Sequence, residues 1–414
     1  AARSYMNHAI DRDDCCLLAT IAAALYFIQT RDYFKAIKAY QMAIYNHPDA
    51  PASLRVGVAY CFYQLGNYKK AFAALDRALQ IDPENEEALA MKASLQRSSP
   101  ALSPQERVIT SLQTIKQLHA INPAHPQVLV YTADHHFWRW AALPSLTATV
   151  AKGATEVTLE GEGASLLHPA LPLRIGGTVC RVKSSQDAVT ATSCTLAAPF
   201  AGEAAEKAAV EARDTTTCMQ LAKECLKEAK MPTLKSEAYE LLGRCYHALN
   251  NWNHAKEMYE KAIHANKHNL LAQYEMIQVL IHLSAVAKTK KEKEDLRVQA
   301  RAHCSVCLQM GNASNEIAFL AAYLQFKSNE LPKAMATIAA VPDKPDQFTV
   351  KPLLNSLLLK GQLWQGNFHS AADIARARVF YENYVALAVS AGTSFSPLVW
   401  NNIALLRELC GDAT

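Results

Sequence analysis

The amino-acid sequence predicts an all-α chain, a right-handed superhelix of stacked helix pairs, opened at one point by a small β-rich insertion. Two observations carry this prediction. A helical pattern of small and large residues recurs along most of the chain, and between Trp140 and Cys218 it gives way to period-two alternation rich in Val and Thr. A chain of 414 residues, 50% hydrophobic and 19% charged, exceeds one ordinary core and suits either several domains or one elongated array. The recurrence selects the array.

The segments YFKAIKAYQMAIYNHP (33 to 48), YKKAFAALDRALQIDP (68 to 83) and WNHAKEMYEKAIHANK (252 to 267) are one helix written three times. Each has an aromatic residue, Ala three positions on, a large residue four later, and Ala three after that. The helix before each also recurs, placing Ala24, Ala59 or Gly243 three positions before Phe27, Phe62 or Tyr246. Pro48 and Pro83 stand one period apart, close to the roughly 34-residue period of the tetratricopeptide repeat (TPR) helix-turn-helix. The small positions let two helices approach closely, while Tyr40, Leu75 and Tyr259 fill the groove to the next unit. Pro48 and Pro83 stop the second helix because they supply no N–H and clash with the preceding turn. Gly66-Asn67 makes the turn within one unit, and Gly366-Asn367 repeats it.

Weaker copies occupy 107 to 123, 270 to 310, 316 to 341 and 353 to 377, and 399 to 412 is a first helix without its partner. Terminal repeats need a polar cap, so the sequence is expected to be a fragment of a longer protein. Within the interruption, the Val- and Thr-rich stretches predict three to five strands, with turns at Gly153 and Gly176-Gly177. AGEAAEKAAVEARD (201 to 214) reads as a helical, solvated connector. The expected organisation is a TPR array over 1–142, a β-rich module with its helical connector over 143–214, and the array continued over 215–414. The insertion falls near the turn between the two helices of one unit, which leaves their buried faces untouched.

The stretch DHHFWRW (134 to 140) resembles a metal cluster at first sight. Adjacent helical residues point about 100° apart, and a helical zinc site needs ligands at i and i+3 or i+4, which His135 and His136 lack. Ala133 and His136 instead occupy the small and aromatic repeat positions. Cys304 and Cys307 form a lone C-x-x-C without a second pair, so buried helical cysteines are the reading there. No nucleophile elbow, P-loop or dinucleotide fingerprint is present, so neither an enzyme, a metal nor a cofactor is expected. The net charge of +4 and the mixed-sign run KTKKEKEDLR (288 to 297) do not make a nucleic-acid surface. LLATIAAALYFI (17 to 28) is shorter than the roughly 20 residues of a membrane helix and reads as core. Eleven cysteines, mostly inside apolar helical patterns, predict a reducing compartment.

The remaining functional surface is the one lined by the first helices. Its residues are Ile21, Leu25 and Ile28, then Val56, Tyr60 and Tyr63, and in a later unit Glu240, Arg244 and His247. We take Leu25, Ile28, Val56, Tyr60, Tyr63, Arg244 and His247 as partner-binding residues, although the apolar ones suit inter-repeat core equally well. The Lys and Asn pattern that holds a peptide carboxylate is absent at 21, 25, 56 and 60. A long apolar or mixed partner segment fits this surface better than an acidic tail.

PASLRVGVAYCFYQLGNYKKAFAALDRAL (51 to 79) resembles a unit of the large TPR scaffold subunits of RNA polymerase-associated factor (PAF) complexes, through Pro51, Arg55, Gly57, Cys61, Phe62 and Leu65. HPQVLVYTADHHFW is similar to a further unit. Residues 236 to 263, and 397 to 412 with Asn401-Asn402, are similar to later units in the same order. The resemblance does not extend over 143 to 214. It implies a nuclear, non-enzymatic scaffold that wraps an extended helix of the complex's namesake subunit. Through that complex it would meet RNA polymerase II and serve transcription elongation and co-transcriptional histone modification. The fold alone also admits a cytosolic adaptor or co-chaperone that binds a peptide segment.

Overall fold

Helices α1 (Leu17–Gln29) and α2 (Tyr33–Asn46), α3 (Ser53–Gln64) and α4 (Tyr68–Ile81), and α5 (Glu86–Ser98) and α6 (Pro104–Ile121) pack as successive pairs. Helix α7 (Pro126–Trp138) leads into six strands, and α8 (Thr215–Glu228) follows them. Pairing resumes with α9 (Pro232–Ala248) and α10 (Trp252–Ala265), α11 (Leu270–Val286) and α12 (Lys290–Gln309), α13 (Asn315–Lys327) and α14 (Leu331–Ala339), and α15 (Val350–Gln365) and α16 (Ala371–Ser390), before α17 (Leu398–Leu409). The computed structural model describes residues 16–161, 167, 172–183, 189–190, 192–310, 315–343, 350–366, 370–391 and 397–410. The chain divides into two compact units: Ala1–His135 with Gln220–Ala229, and His136–Met219 with Lys230–Thr414.

One turn recurs within the pairs. Arg31, Gly66, Asn250 and Asn329 all adopt left-handed backbone, with φ of 59, 72, 56 and 62°. The N–H of the next residue then donates to a carbonyl five residues back: Asp32 to Phe27, Asn67 to Phe62, Asn251 to Tyr246 and Glu330 to Gln325. These bonds satisfy carbonyls that the ending helix leaves open. The side chains of Asp32, Asn67 and Asn251 cap the second helix, accepting from the backbone N–H of Lys35, Lys70 and His254 at 3.3, 3.3 and 3.4 Å. The turn expected at Gly66-Asn67 is therefore present, and it also forms without glycine. Its expected copy includes Asn367, which lies outside the described residues. Helices α2 and α4 end at Asn46 and Ile81, just ahead of Pro48 and Pro83.

Small residues sit at the helix contacts. Ala24, Ala36, Ala59, Ala71 and Ala255 are fully buried. A Cβ added at Gly243 would lie 2.6 Å from the Tyr259 ring, one at Gly361 3.0 Å from Tyr381, and one at Gly57 2.6 Å from Tyr40. Tyr40 thus covers the following unit, as expected. Tyr259 also packs with Ala272 and Met276 of the next pair, yet its ring closes on Gly243 of its own pair.

The strands β1 (Trp140–Val150), β2 (Glu156–Glu160), β3 (Pro172–Ile175), β4 (Thr178–Arg181), β5 (Ser193–Thr195) and β6 (Ala205–Arg213) form one sheet in the order β4-β3-β6-β1-β2-β5, with every pairing antiparallel. The bridge Val182↔Leu196 joins the two edges, with Lys183 N–H donating to Thr195 O and Ala197 N–H to Arg181 O, both at 2.8 Å. The sheet therefore curls closed, which leaves no long unpaired edge among the described residues. Register shifts between β1 and β6, after Ala142 and Ala148, supply the curvature. Leu146, Val157, Leu159, Leu173, Ile175, Val210 and Phe200 fill the interior. Gly176 and Gly177, at φ of 55 and 83°, make the two-residue hairpin turn that their pairing in the sequence predicts.

The helical connector expected over 201 to 214 is corrected by this sheet, because Ala205–Arg213 is the strand β6, hydrogen-bonded between β3 and β1. Ala, Glu and Lys favour a helix when only local propensity counts. Here Ala208, Val210 and Ala212 alternate toward the barrel core, and tertiary packing overrides propensity. The sheet also begins earlier than residue 143, at Trp140, immediately after α7 ends.

The module meets the helices at a paired stem, Trp140↔Arg213, Ala141↔Ala212 and Ala142↔Glu211. His136 Nδ1 lies 2.7 Å from Asp214 Oδ2, and Asp214 Oδ1 accepts from the Thr217 N–H at the start of α8 at 3.1 Å. Burial raises the Asp214 carboxyl, but the bonds from Thr217 and His136 outweigh it and hold it below the usual carboxylate range. The Arg213 guanidinium donates to the Trp138 carbonyl and lies over the Trp138 and Trp140 rings at 5.4 and 4.5 Å. Farther along α8, the Cys225 thiol donates to the Pro126 carbonyl of α7 at 3.4 Å. Helices α7 and α8, which flank the barrel in the sequence, thus touch at this point within the first compact unit.

Gly243→Val places a branched side chain against the Tyr259 ring and is expected to cost about 1–3 kcal/mol through overpacking. Arg31→Gly relieves a left-handed residue with a side chain and is expected to gain about 0.5–1 kcal/mol. Thermal unfolding followed by circular dichroism checks both signs.

Candidate partner-binding surface

The expected contact residues fall into two groups, one in each compact unit. In the first, Leu25 is 50% exposed. Ile21, Ile28 and Tyr60 pack partly against the α1–α3 core, and Val56 and Tyr63 against the core that α3, α4 and α5 share. Tyr60 meets Tyr33 edge-on at 6.4 Å and Tyr63 meets Tyr68 at 5.8 Å. Leu25 offers most free area, while the other apolar positions divide their surface between core and solvent. An aromatic ring half-buried in this way is held rigidly and presents area at little entropic cost.

In the second unit Arg244 is clamped by Glu240, whose carboxylate accepts from Nη2 at 2.7 and 3.0 Å and from Nε at 2.9 Å. The guanidinium also lies over Phe137 at 5.2 Å and Trp138 at 5.9 Å. The bidentate clamp fixes the plane of Arg244 before any partner arrives. His247 Nδ1 lies 3.2 Å from Glu275, and its ring meets Trp252 at 4.8 Å. Trp252 in turn stacks on His282 at 3.7 Å with 17° between the planes.

Arg244 and His247 thus belong to a polar and aromatic group that the sequence reading identified only in part. Glu275, Trp252 and His282 come from α10 and α11 and were missed. The periodic signal that could have found them is the first-helix face of the next unit, on which Glu275 and His282 stand seven residues apart.

The histidine and cysteine motifs are taken up in packing and hydrogen bonds. His136 is engaged by Asp214, and among the described residues no group of three or more His, Cys, Asp or Glu is arranged to hold a metal ion. Cys304 and Cys307 are buried, and burial pushes the Cys304 thiol up to about 12 and raises Cys307 as well. Neither supplies a thiolate at neutral pH. No described helix is long and apolar enough to cross a membrane.

Paired helices, the recurring left-handed turn and a first-helix face of exposed and half-buried side chains define a helical-repeat protein. Residues 54–85 and 236–269, which hold Val56, Tyr60, Tyr63, Arg244 and His247, each match the tetratricopeptide repeat family. The chain is a tetratricopeptide-repeat protein, and it is CTR9-like. It is 30% identical over 107 residues to the protein CTR9 homolog of Arabidopsis thaliana, a match that covers 26% of this chain and 9% of that protein. It is 25% identical over 138 residues to the RNA polymerase-associated protein CTR9 of Caenorhabditis elegans, covering 33% of this chain and 12% of that one. The RNA polymerase-associated protein CTR9 of Saccharomyces cerevisiae is 24% identical over 144 residues, covering 33% and 13%. The matched stretches thus span about a tenth of each relative's length.

Burial lowers the proton affinity of His125, His282 and His303, and the charge of His247 adds to this at His282. The folded chain therefore protonates these rings at a lower pH than the unfolded chain, which does so near pH 6.5. Their contribution to stability is full above that value and shrinks as pH falls below it. The melting temperature is therefore expected to drop between pH 7.5 and 5.5. In His282→Phe, which keeps a ring against Trp252, the drop is expected to be smaller.

Proposed function

We propose that the chain is a non-enzymatic, nuclear scaffold segment of an RNA polymerase-associated assembly. Its first-helix faces bind an extended segment of another subunit, the namesake subunit of the complex in the reading that the resemblance implies. Through that contact it serves transcription elongation and co-transcriptional histone modification. The observation that carries this reading is the similarity of parts of this chain to CTR9 proteins of three organisms. The surface chemistry supports it: exposed Leu25 and half-buried Ile28, Val56, Tyr60 and Tyr63 suit an apolar stretch, and the clamped Arg244 with His247 suits a polar one. Such a surface rewards a long partner that alternates the two, since affinity concentrates in a few well-packed anchors. We take the six-stranded module as an addition within one repeat.

Affinity purification of the full-length protein from nuclei, followed by mass spectrometry, is expected to recover subunits of an RNA polymerase-associated complex. Recovery of cytosolic chaperones alone would overturn the reading in favour of a peptide-binding adaptor. Leu25→Glu puts a charge where an apolar partner residue would seat and is expected to weaken the co-purified partner roughly tenfold. Its circular dichroism melt is expected to stay near that of the parent, because Leu25 is half exposed.

A further inference from the structure

We propose that a cavity between α11, α12 and α13 binds a phosphorylated side chain of a partner peptide. The cavity has a volume of about 200 Å3 and is lined by Ser284 and Ile281 of α11, Lys293 and Arg297 of α12, and Tyr323 and Lys327 of α13, among others. It lies within the second compact unit. The inference rests on geometry and charge at this cavity and not on the surface assigned to the scaffold role.

Three cations line this cavity, and no carboxylate does among the described residues. Arg297 is paired with Glu294 at 3.6 Å, and Glu294 is held more closely by Arg301 at 2.9 Å. Lys293 and Lys327 have no carboxylate partner among the described residues. The Lys327 ammonium instead lies over the Tyr323 and Phe326 rings at 5.4 and 5.7 Å. Arg297 spends one N–H on the Lys327 carbonyl at 3.4 Å, which holds the guanidinium beside the cavity with other donors still available. Three like charges around a recess of this size repel one another, and a bound anion removes that repulsion.

The anion that fits is a phosphate monoester. It carries about −1.5 to −2 charges at neutral pH and three acceptor oxygens, against a single charge and two oxygens for a carboxylate. Arg297 matches phosphate geometry in a bidentate manner, and Lys293 and Lys327 supply point charges to either side. Ile281 and the Tyr323 ring offer an apolar wall for the residue beside the phosphorylated one. A nucleic acid is disfavoured, because its regularly spaced phosphates need cations gathered without acids, and the run KTKKEKEDLR that holds Lys293 and Arg297 mixes both signs. A peptide with one phosphate needs only the three cations of the cavity.

The test uses fluorescence polarisation with a fluorescein-labelled degenerate peptide pool that carries one central phosphoserine. The same pool with serine and a single-stranded oligonucleotide serve as comparison arms. The phosphorylated pool is expected to bind at least about tenfold more tightly than the serine pool, and millimolar inorganic phosphate is expected to displace it. Arg297→Ala is expected to abolish that preference. Lys293→Gln, which breaks no bond of the folded chain, is expected to weaken it severalfold with an unchanged melt, so the test stands even if Arg297→Ala fails to fold. Equal binding of the two pools, full binding by Lys293→Gln, or tighter binding of the oligonucleotide would overturn the proposal.

Discussion

Pairs of helices in this chain approach one another at residues with little or no side chain, and a ring from the facing helix closes over the gap. Tyr259 on Gly243 and Tyr381 on Gly361 do this within a pair, and Tyr40 on Gly57 does it between pairs. Ala24, Ala36, Ala59 and Ala71 are completely buried at the equivalent contacts of the first two pairs. Interiors are close-packed, so this contact leaves almost no freedom in how far apart the helices lie. The left-handed turn follows from it, because the chain must reverse within a few residues while satisfying the open carbonyls of the helix that ends. Arg31 and Asn250 accept the left-handed conformation that Gly66 adopts without cost. The requirement thus comes from the pair, and glycine only eases it.

The stem of the barrel shows how a sheet can enter the chain between two helices. A sheet inserted at a turn leaves both buried helix faces available, provided that the chain leaves and returns at nearly one place. The pairing of Trp140 with Arg213 brings exit and return together. His136 on Asp214 and Arg213 on two tryptophan rings then hold the stem. The histidine that looked like a metal ligand therefore serves the junction. A carboxylate shared between a ring nitrogen and a helix N-terminus leaves little room for an ion.

The first-helix faces show why a repeat surface is hard to assign to binding or to core. Ile28, Val56, Tyr60 and Tyr63 do some of both, since each first helix must bury one edge against its neighbours while another edge faces outward. Leu25 lies far enough toward solvent to be spared that division. At Arg244 and His247 the division is of another kind. Glu240 and Glu275 occupy part of each side chain's hydrogen-bonding capacity and fix its direction. A partner would meet oriented donors and rings there instead of mobile charges.

The repeat, its helices, the turn at Gly66-Asn67 and the strand-rich character of the insertion were legible in the sequence, because each rests on contacts between residues a few positions apart or one period apart. The left-handed turns at Arg31, Asn250 and Asn329 have no glycine to mark them and became visible only with the backbone. The strand over Ala205–Arg213 was misread because its composition favours a helix, and only its place between β3 and β1 decides otherwise. Glu275, Trp252 and His282 join Arg244 and His247 through packing of three helices, which no local pattern encodes. The sequence by itself determined which residues are small, large or periodic, and hence that helices pair. Tertiary structure alone decided which side chains share a surface, because that depends on distances between elements far apart in the chain.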